Sequence, residues 1–340
     1  MSEKNCILID WFAMSFRAPG VTPESIIRLL DLKCEAKFEH LSGRYLYRDR
    51  LSFGGIHIYY NNINKDQDYP MLEMTGQGCR EFETYSRLSF DYLFELAKDD
   101  LLYHMTRLDI AYDDHIGILD IRQIEKDYRA HNWVSRSRRG RITVDLSREK
   151  DEDGKNIEGI SVMTGTKSSD MYMRIYDKGI ERGFKDGRHW VRCELVLKQD
   201  RAVKFLKCKE KIGEKFRGVI AGYFRFIDPE SSDTNRSRVK MRDYWSKFLE
   251  NASKISVYSK KEIEYNLGRV YGYVMHQAGN SIYTYIKIVG IMKFLDDLFK
   301  RNSKLTPQQR YLINKCKAAY KDQQNIDPDI LQAIADCFRS

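Results

Sequence analysis

The segment 168–178 reads SSDMYMRIYDK and sets Tyr172, Arg174, Tyr176 and Lys178 at every second position, with Met171, Met173 and Ile175 between them. A tyrosine hydroxyl attacks a phosphodiester only if its proton is removed or its developing charge is stabilised, because a free phenol titrates at about 10. Cations two residues from a tyrosine provide that stabilisation and can also hold a pentavalent phosphate. Two further segments carry carboxylates at the same spacing. RLDIAYDD sets Arg107, Asp109, Ala111 and Asp113 on one side and Leu108, Ile110, Tyr112 and Asp114 on the other. WVRCELVLK sets Arg192, Glu194, Val196 and Lys198 against Cys193, Leu195 and Leu197. Asp109, Asp113 and Glu194 make an all-oxygen set, which suits a hard cation, Mg²⁺ or Mn²⁺, and not zinc. The seven histidines are scattered and form no H-x-H pair. A plainer reading of the same residues is a group of ion pairs across a sheet, with Asp109 held by Arg107 or Arg192.

These side chains need elements that aim them. Alternation with period two is the signature of a β-strand, whose successive side chains point to opposite faces. The runs 7–16, 55–60, 71–76, 104–113, 140–146, 159–165, 171–178 and 190–198 read as strands. TPESIIRLLDLKCE (22–35), FDYLFELAKDDL (90–101) and DIRQIEKDYRA (120–130) read as helices, the first with Thr22 as N-cap and Pro23 at its first helical position. TGQGC (75–79) lacks the spacing and the lysine of a P-loop and reads as a tight turn from strand into helix. After about residue 200 helical periodicity takes over, from RAVKFLKCKEK through RDYWSKFLENA and NSIYTYIKIVGIMKFLDDLFK to DPDILQAIADCFRS, with no Pro/Gly/Ser-rich linker. The expected class is α+β: a large, curved, mainly antiparallel sheet with helices packed on one side. Residues 1–200 would form this sheet-rich core, and residues 201–340 a mostly helical region packed on it. The polar side of the three chemistry-bearing strands is expected to face solvent and something negative.

Composition narrows the partner. Lysine and arginine outnumber aspartate and glutamate 58 to 49, a formal charge of +9 with a pI near 9.0, which favours a polyanion such as nucleic acid. Three basic segments are candidate phosphate contacts: SRSRRGR with Arg136, Arg138, Arg139 and Arg141, KFLKCKEK with Lys207 and Lys209, and NRSRVKMR with Arg236, Arg238 and Lys240. Seven cysteines, none in a C-x-x-C pair, argue against a disulfide framework or zinc knuckle and for a reducing cytoplasm. No segment approaches the roughly 18 apolar residues of a membrane span.

Taken in order, DWFAMSF, MLEMTGQGCREFE (71–83), RLDIAYDD, SSDMYMRIYDKGIER, RHWVRCELVLK and RDYWSKFLENASKI (242–255) resemble the replication initiation factor (Rep-trans) family, which includes rolling-circle plasmid initiators, integrative-element relaxases and related phage proteins. The similarity runs from about residue 7 to 290. It implies a DNA-nicking enzyme in which Tyr176, rather than Tyr172, attacks one strand and keeps a 5′-phosphotyrosine. It also implies that Asp109 and Glu194, completed by Asp113 or Asp114, associate with the metal. Origin DNA, a helicase and a second copy of the chain are the implied partners. Two other functions fit the same residues: a metal-dependent nuclease in which water attacks, and a non-catalytic protein that docks DNA on a basic sheet.

Overall fold

The computed structural model describes residues 5–33, 36–64, 68–150, 156–184, 186–230, 235, 236, 238–250, 257, 274, 278–301 and 313. Twelve strands appear among them: β1 (Cys6–Phe16), β2 (Glu39–Ser42), β3 (Tyr47–Phe53), β4 (Ile56–Asn62), β5 (Met71–Met74), β6 (Tyr103–Asp114), β7 (Trp133–Ser135), β8 (Gly140–Lys150), β9 (Asn156–Thr164), β10 (Met171–Asp177), β11 (Val191–Lys198) and β12 (Phe224–Phe226). Ten form one antiparallel sheet in the order β2-β3-β4-β5-β1-β6-β11-β10-β9-β8, and β7 pairs with β12 in a separate ribbon. All eight expected strands are present with shifted ends. Of the four unexpected strands, β2 and β3 lack the apolar half of the pattern, β2 being exposed along its length and β3 reading YRDRLSF, while β7 (WVS) and β12 (FRF) are three residues each, too short to show an alternation.

The helices are α1 (Pro23–Leu29), α2 (Gly76–Tyr85), α3 (Phe90–Ala97), α4 (Ile121–Arg129), α5 (Lys178–Glu181), α6 (Asp200–Lys207), α7 (Ile212–Tyr223) and α8 (Asp243–Leu249). Thr22 caps α1, its hydroxyl accepting from the Ser25 amide at 3.2 Å. The helix stops short of the expected residue 35, and Asp31, at φ 43°, turns the chain away. TGQGC is the expected strand-to-helix turn: the Thr75 hydroxyl accepts from the Gly78 amide, and a Cβ on Gly78 would sit 2.2 Å from the Gly55 carbonyl oxygen, so only glycine fits.

Apolar strand residues such as Phe12, Leu108, Ile110, Met173, Ile175 and Leu195 join Phe82, Leu93, Ile124, Phe205, Phe216 and Trp245 from the helices in one core. The helices therefore cover one side of the sheet, and Cys193 faces that core as its alternation requires. The chain divides into two compact units, Met1–Ser259 and Lys260–Ser340. The expected division near residue 200 falls inside the first unit, because α6, α7 and α8 insert Phe205, Phe216, Trp245 and Phe248 beneath the sheet. In the second unit the expected helix over NSIYTYIKIVGIMKFLDDLFK breaks at Gly290 (φ 81°) into Gly279–Val289 and Ile291–Arg301. The helical segments expected around 259–279 and beyond 305 lie outside the described residues, isolated positions apart. Among the described residues no helix is long and apolar enough to cross a membrane.

The RDYWSKFL segment is tied down by one buried carboxylate. Asp127 of α4 accepts from Arg242 Nη2 (2.5 Å) and Nε (3.0 Å), from Tyr244 Oη (3.1 Å), and from Gln123 and Asn132. Burial alone would raise its pKa, but the bonds from Arg242, Gln123 and Asn132 outweigh it and the carboxyl lies below its ordinary range. A depressed native value means stability that is complete above the ordinary carboxylate range and is lost as pH falls through the native one. Asp127→Ala is therefore expected to cost about 3 kcal/mol near neutrality, a fall of roughly 6–12 °C in Tm. The deficit should shrink on acidification; a gap between the two proteins that is as wide at low pH as at neutrality would remove Asp127 from this role.

Candidate active site

The registers stack the polar side chains in rows that cross the sheet on the side opposite the packed helices, where only the one-turn α5 comes against it. Ala111, Glu194, Arg174, Met163 and Arg141 are successive partners through β6, β11, β10, β9 and β8, and Asp113, Arg192, Tyr176, Ser161 and Thr143 form the next row. Trp11, Asp109, Val196 and Tyr172 make a third row that reaches β1. The three segments singled out by alternation thus meet on one surface. That surface is not the open face the sequence suggested. Asp109, Asp113, Arg192, Glu194 and Tyr176 are all at most 5% exposed, because an arginine pairs with each carboxylate: Arg107 with Asp109 along β6, Arg192 with Asp113 and Arg174 with Glu194 across neighbouring strands.

Tyr176, the penultimate residue of β10, lies beneath the Arg174 guanidinium, whose carbon is 4.1 Å from the ring centroid. Arg174 in turn donates to Glu194 at 2.7 Å. Lys178 is not on the strand: it opens α5, from which its ammonium reaches the Tyr176 hydroxyl at 3.5 Å and also pairs with Glu181. Burial, then the Glu194 charge, pushes the Tyr176 phenol far above its ordinary value, with Arg174 and Arg192 opposing. The hydroxyl is therefore neutral at rest. Tyr172 stands differently. It packs with Met163 and Val196 in a small apolar cluster, under the Lys198 ammonium at 5.6 Å from its ring centroid.

Tyr176 lines a cavity of about 310 Å³ together with Asp10, Asp109, Glu194, Trp11, Arg107, Arg174, Lys178 and Glu181. Asp109 receives a two-pronged bond from Arg107, at 2.9 and 2.6 Å, yet burial and the neighbouring charges of Glu194 and Asp10 push its carboxyl up to about 7. Asp10 is the carboxylate that the sequence reading missed. Asp113, expected in the metal set, is instead held at both oxygens by Arg192, at 2.6 and 2.8 Å, and does not line the cavity. Arg192 also reaches Asp10 at 2.7 Å. Asp114 points to the opposite side, where it accepts from the Leu119 amide and pairs with His189. Among the described residues no three histidine, cysteine or acidic side chains stand together as a metal cage. The donor chemistry still fits a hard cation: Asp10, Asp109 and Glu194 border one cavity, with Glu181 at its rim paired to Lys178, and burial, joined by the neighbouring negative charges, raises Asp109 above the carboxylate range.

The basic candidates separate. Arg138, Arg139 and Arg141 line an open cleft of about 1150 Å³ with Trp133, His131 and Lys167, and among the described residues none of the three has a carboxylate partner. Arg141 lies in the Glu194–Arg174 row, two strands from Arg174 or about 10 Å across the sheet. Arg136 is exposed beside this cleft. Arg236 is occupied with the His131 and Trp133 carbonyls, and Lys240 with Asp243; Arg238 follows in the same segment. Lys207 and Lys209 belong to α6 and the turn after it, on the helical side, away from Tyr176.

Comparison with known proteins bears on this arrangement. The family model "Replication initiation factor" matches residues 103–299, more than half of the chain, and takes in β6, β10 and β11. The chain belongs to the replication initiation factor family. A second model, "Rolling Circle replication initiation protein N-terminal domain", matches residues 6–97 and so covers the strand that carries Asp10 and Trp11. "Putative DNA relaxase NicK" of Bacillus subtilis (strain 168) is 27% identical over 272 residues, spanning 76% of this chain and 74% of that protein. The solved structure of a rolling circle replication initiator protein from Geobacillus stearothermophilus superposes with a TM-score of 0.65 at 27% identity, covering 75% of this chain and 100% of that one. Among replication initiation factors, then, this member presents one tyrosine between two cations at the edge of a carboxylate-lined cavity.

Proposed function

We propose that this protein nicks one strand of an origin to start rolling-circle replication or conjugative transfer, with Tyr176 as the nucleophile. The observation that carries the reading is the Tyr176 hydroxyl at the Lys178 ammonium, under Arg174, on the wall of the Asp10–Asp109–Glu194 cavity. In the step, the Tyr176 oxygen forms a bond to phosphorus and the P–O3′ bond breaks, leaving a 5′-phosphotyrosine and a strand ending in a 3′-hydroxyl. The phenol proton passes to a carboxylate of the cavity, and the leaving oxygen takes a proton in turn. Arg174 and Lys178 offset charge on the equatorial phosphate oxygens and on the phenolate as it forms. Trp11 lines the same cavity with a buried indole N–H that has no partner among the described residues, a donor suited to a phosphate oxygen. Asp10, Asp109 and Glu194 would hold Mg²⁺ or Mn²⁺, which when bound supplies a Lewis acid for the scissile phosphate. Conversion of a supercoiled plasmid carrying the cognate origin into open circles tests this; plasmid that stays supercoiled in the presence of Mg²⁺ would leave only DNA binding.

The cleft lined by Arg138, Arg139 and Arg141 continues the catalytic row and takes the phosphate backbone. DNA affinity should fall steeply with salt, and reversing Arg138 and Arg139 to glutamate should lower the log–log slope by about 1.8, roughly 0.9 for each duplex phosphate no longer neutralised. An unchanged slope would remove this loop from the footprint. A nick exposes one end but separates no strands, so a helicase is the natural partner, in the cytoplasm where the DNA is. Residues 201–340 contribute DNA contacts or dimerisation, and light scattering of the full chain, read as one or two copies, decides the second.

A further inference from the structure

The sharpest departure from local sequence rules lies between β2 and β3. Gly43 donates to the Arg48 carbonyl at 2.8 Å and Tyr47 to the Arg44 carbonyl at 2.9 Å, so Tyr45 and Leu46 are the central residues of a two-residue turn, both at positive φ, 56° and 78°. Asparagine followed by glycine fills such a turn without strain; a tyrosine followed by a leucine is strained at both positions. The strain buries little of these side chains, since Tyr45 is 58% and Leu46 64% exposed. The turn is nevertheless fixed. The Leu46 carbonyl accepts from the Ile63 amide at 2.8 Å, and the Tyr45 ring rests edge-on against Tyr59 at 5.6 Å.

That contact sets the side on which the turn stands. The Tyr59 hydroxyl donates to Glu73 at 3.0 Å, and Glu73, Ala13 and Arg107 are successive cross-strand partners, ending at the Arg107–Asp109 pair that borders the catalytic cavity. Arg44 and Arg48 flank the tip, exposed and without a carboxylate partner among the described residues, and Arg50 lies over the Tyr59 ring at 5.9 Å. An exposed aromatic and an exposed aliphatic side chain, held rigidly among arginines on the side that carries Tyr176, match the chemistry of a stacked, unpaired nucleic-acid base.

We propose that the Tyr45–Leu46 turn is a wedge that inserts between bases of DNA lying across this side, stacking Tyr45 on an unpaired base and keeping the strand open next to the cavity. The proposal rests on DNA as the substrate, and its test is independent of cleavage. Tyr45→Asn/Leu46→Gly preserves the turn, removes both side chains and should raise Tm by about 3 °C as the strain is relieved. The probe is a forked duplex with 2-aminopurine at the junction of single and double strands, bound at saturating protein in EDTA. The wild-type protein should unstack the probe and raise its fluorescence, while the double variant leaves it at the level of free DNA. An equal rise with both proteins overturns the wedge, as does a bound probe that the wild type fails to unstack, which would assign the turn to a protein contact. Unstacking by a wild type that never nicks would instead refute the nicking reading and leave the wedge standing.

Discussion

Tyr176→Phe is expected to abolish strand cleavage and the covalent intermediate, a loss of roughly 10⁴-fold or more, the scale seen when a nucleophile is removed. The change deletes one oxygen. The phenyl ring still fills its place under Arg174, and the hydroxyl's contact with Lys178 is long at 3.5 Å, so the fold should lose no more than about 1 kcal/mol. DNA binding should stay near wild type, because Arg138, Arg139 and Arg141 are untouched. Tyr172→Phe should keep the adduct, since that ring sits in the cluster with Met163 and Val196 and not on the wall of the carboxylate cavity. An adduct that disappears in Tyr172→Phe and persists in Tyr176→Phe would move the nucleophile by one strand period. Cleavage that persists in the double variant would favour attack by water.

The second large effect concerns the cavity's acids. Asp10→Asn, Asp109→Asn and Glu194→Gln should each lower nicking by about 10³-fold, and excess EDTA should stop it, while DNA is still bound. Asp113→Asn separates metal binding from scaffolding. It leaves Arg192 with Asp10 as its remaining acidic partner and should destabilise the fold by about 3 kcal/mol, yet the fraction that remains folded should nick. Full activity in EDTA, or a folded Asp113→Asn protein as inactive as Glu194→Gln, would overturn this assignment of ligands.

How far the site can be read from sequence depends on which geometric rule applies at each residue. Alternation is a local property, so the side shared by Asp109, Glu194, Arg174 and Tyr176 follows once β6, β11 and β10 are neighbours, as they are. Asp10 escapes that rule. The register of β1 shifts between Ile9 and Trp11, and a bulge cancels counting by twos, leaving only a charged residue inside the apolar run ILIDWF as a signal. Lys178 reaches Tyr176 for a reason other than the one its spacing suggests, from the first turn of α5 rather than along the strand. The burial of the polar side was not legible at all, because it arises from arginines brought opposite carboxylates on neighbouring strands, Arg174 to Glu194 and Arg192 to Asp113, which depends on the register between strands. The strained Tyr45–Leu46 turn was also invisible, since nothing in GRYLY announces two residues at positive φ.

The most direct test is to trap the protein on a single-stranded oligonucleotide that spans the cleavage site, digest the denatured adduct and locate the modified residue by mass spectrometry. The account predicts a 5′-phosphotyrosyl nucleotide on the peptide containing Tyr176, formed only with Mg²⁺ or Mn²⁺ and absent from Tyr176→Phe. Cleaved oligonucleotide with no protein attached, or a nucleotide on any other side chain, would contradict it.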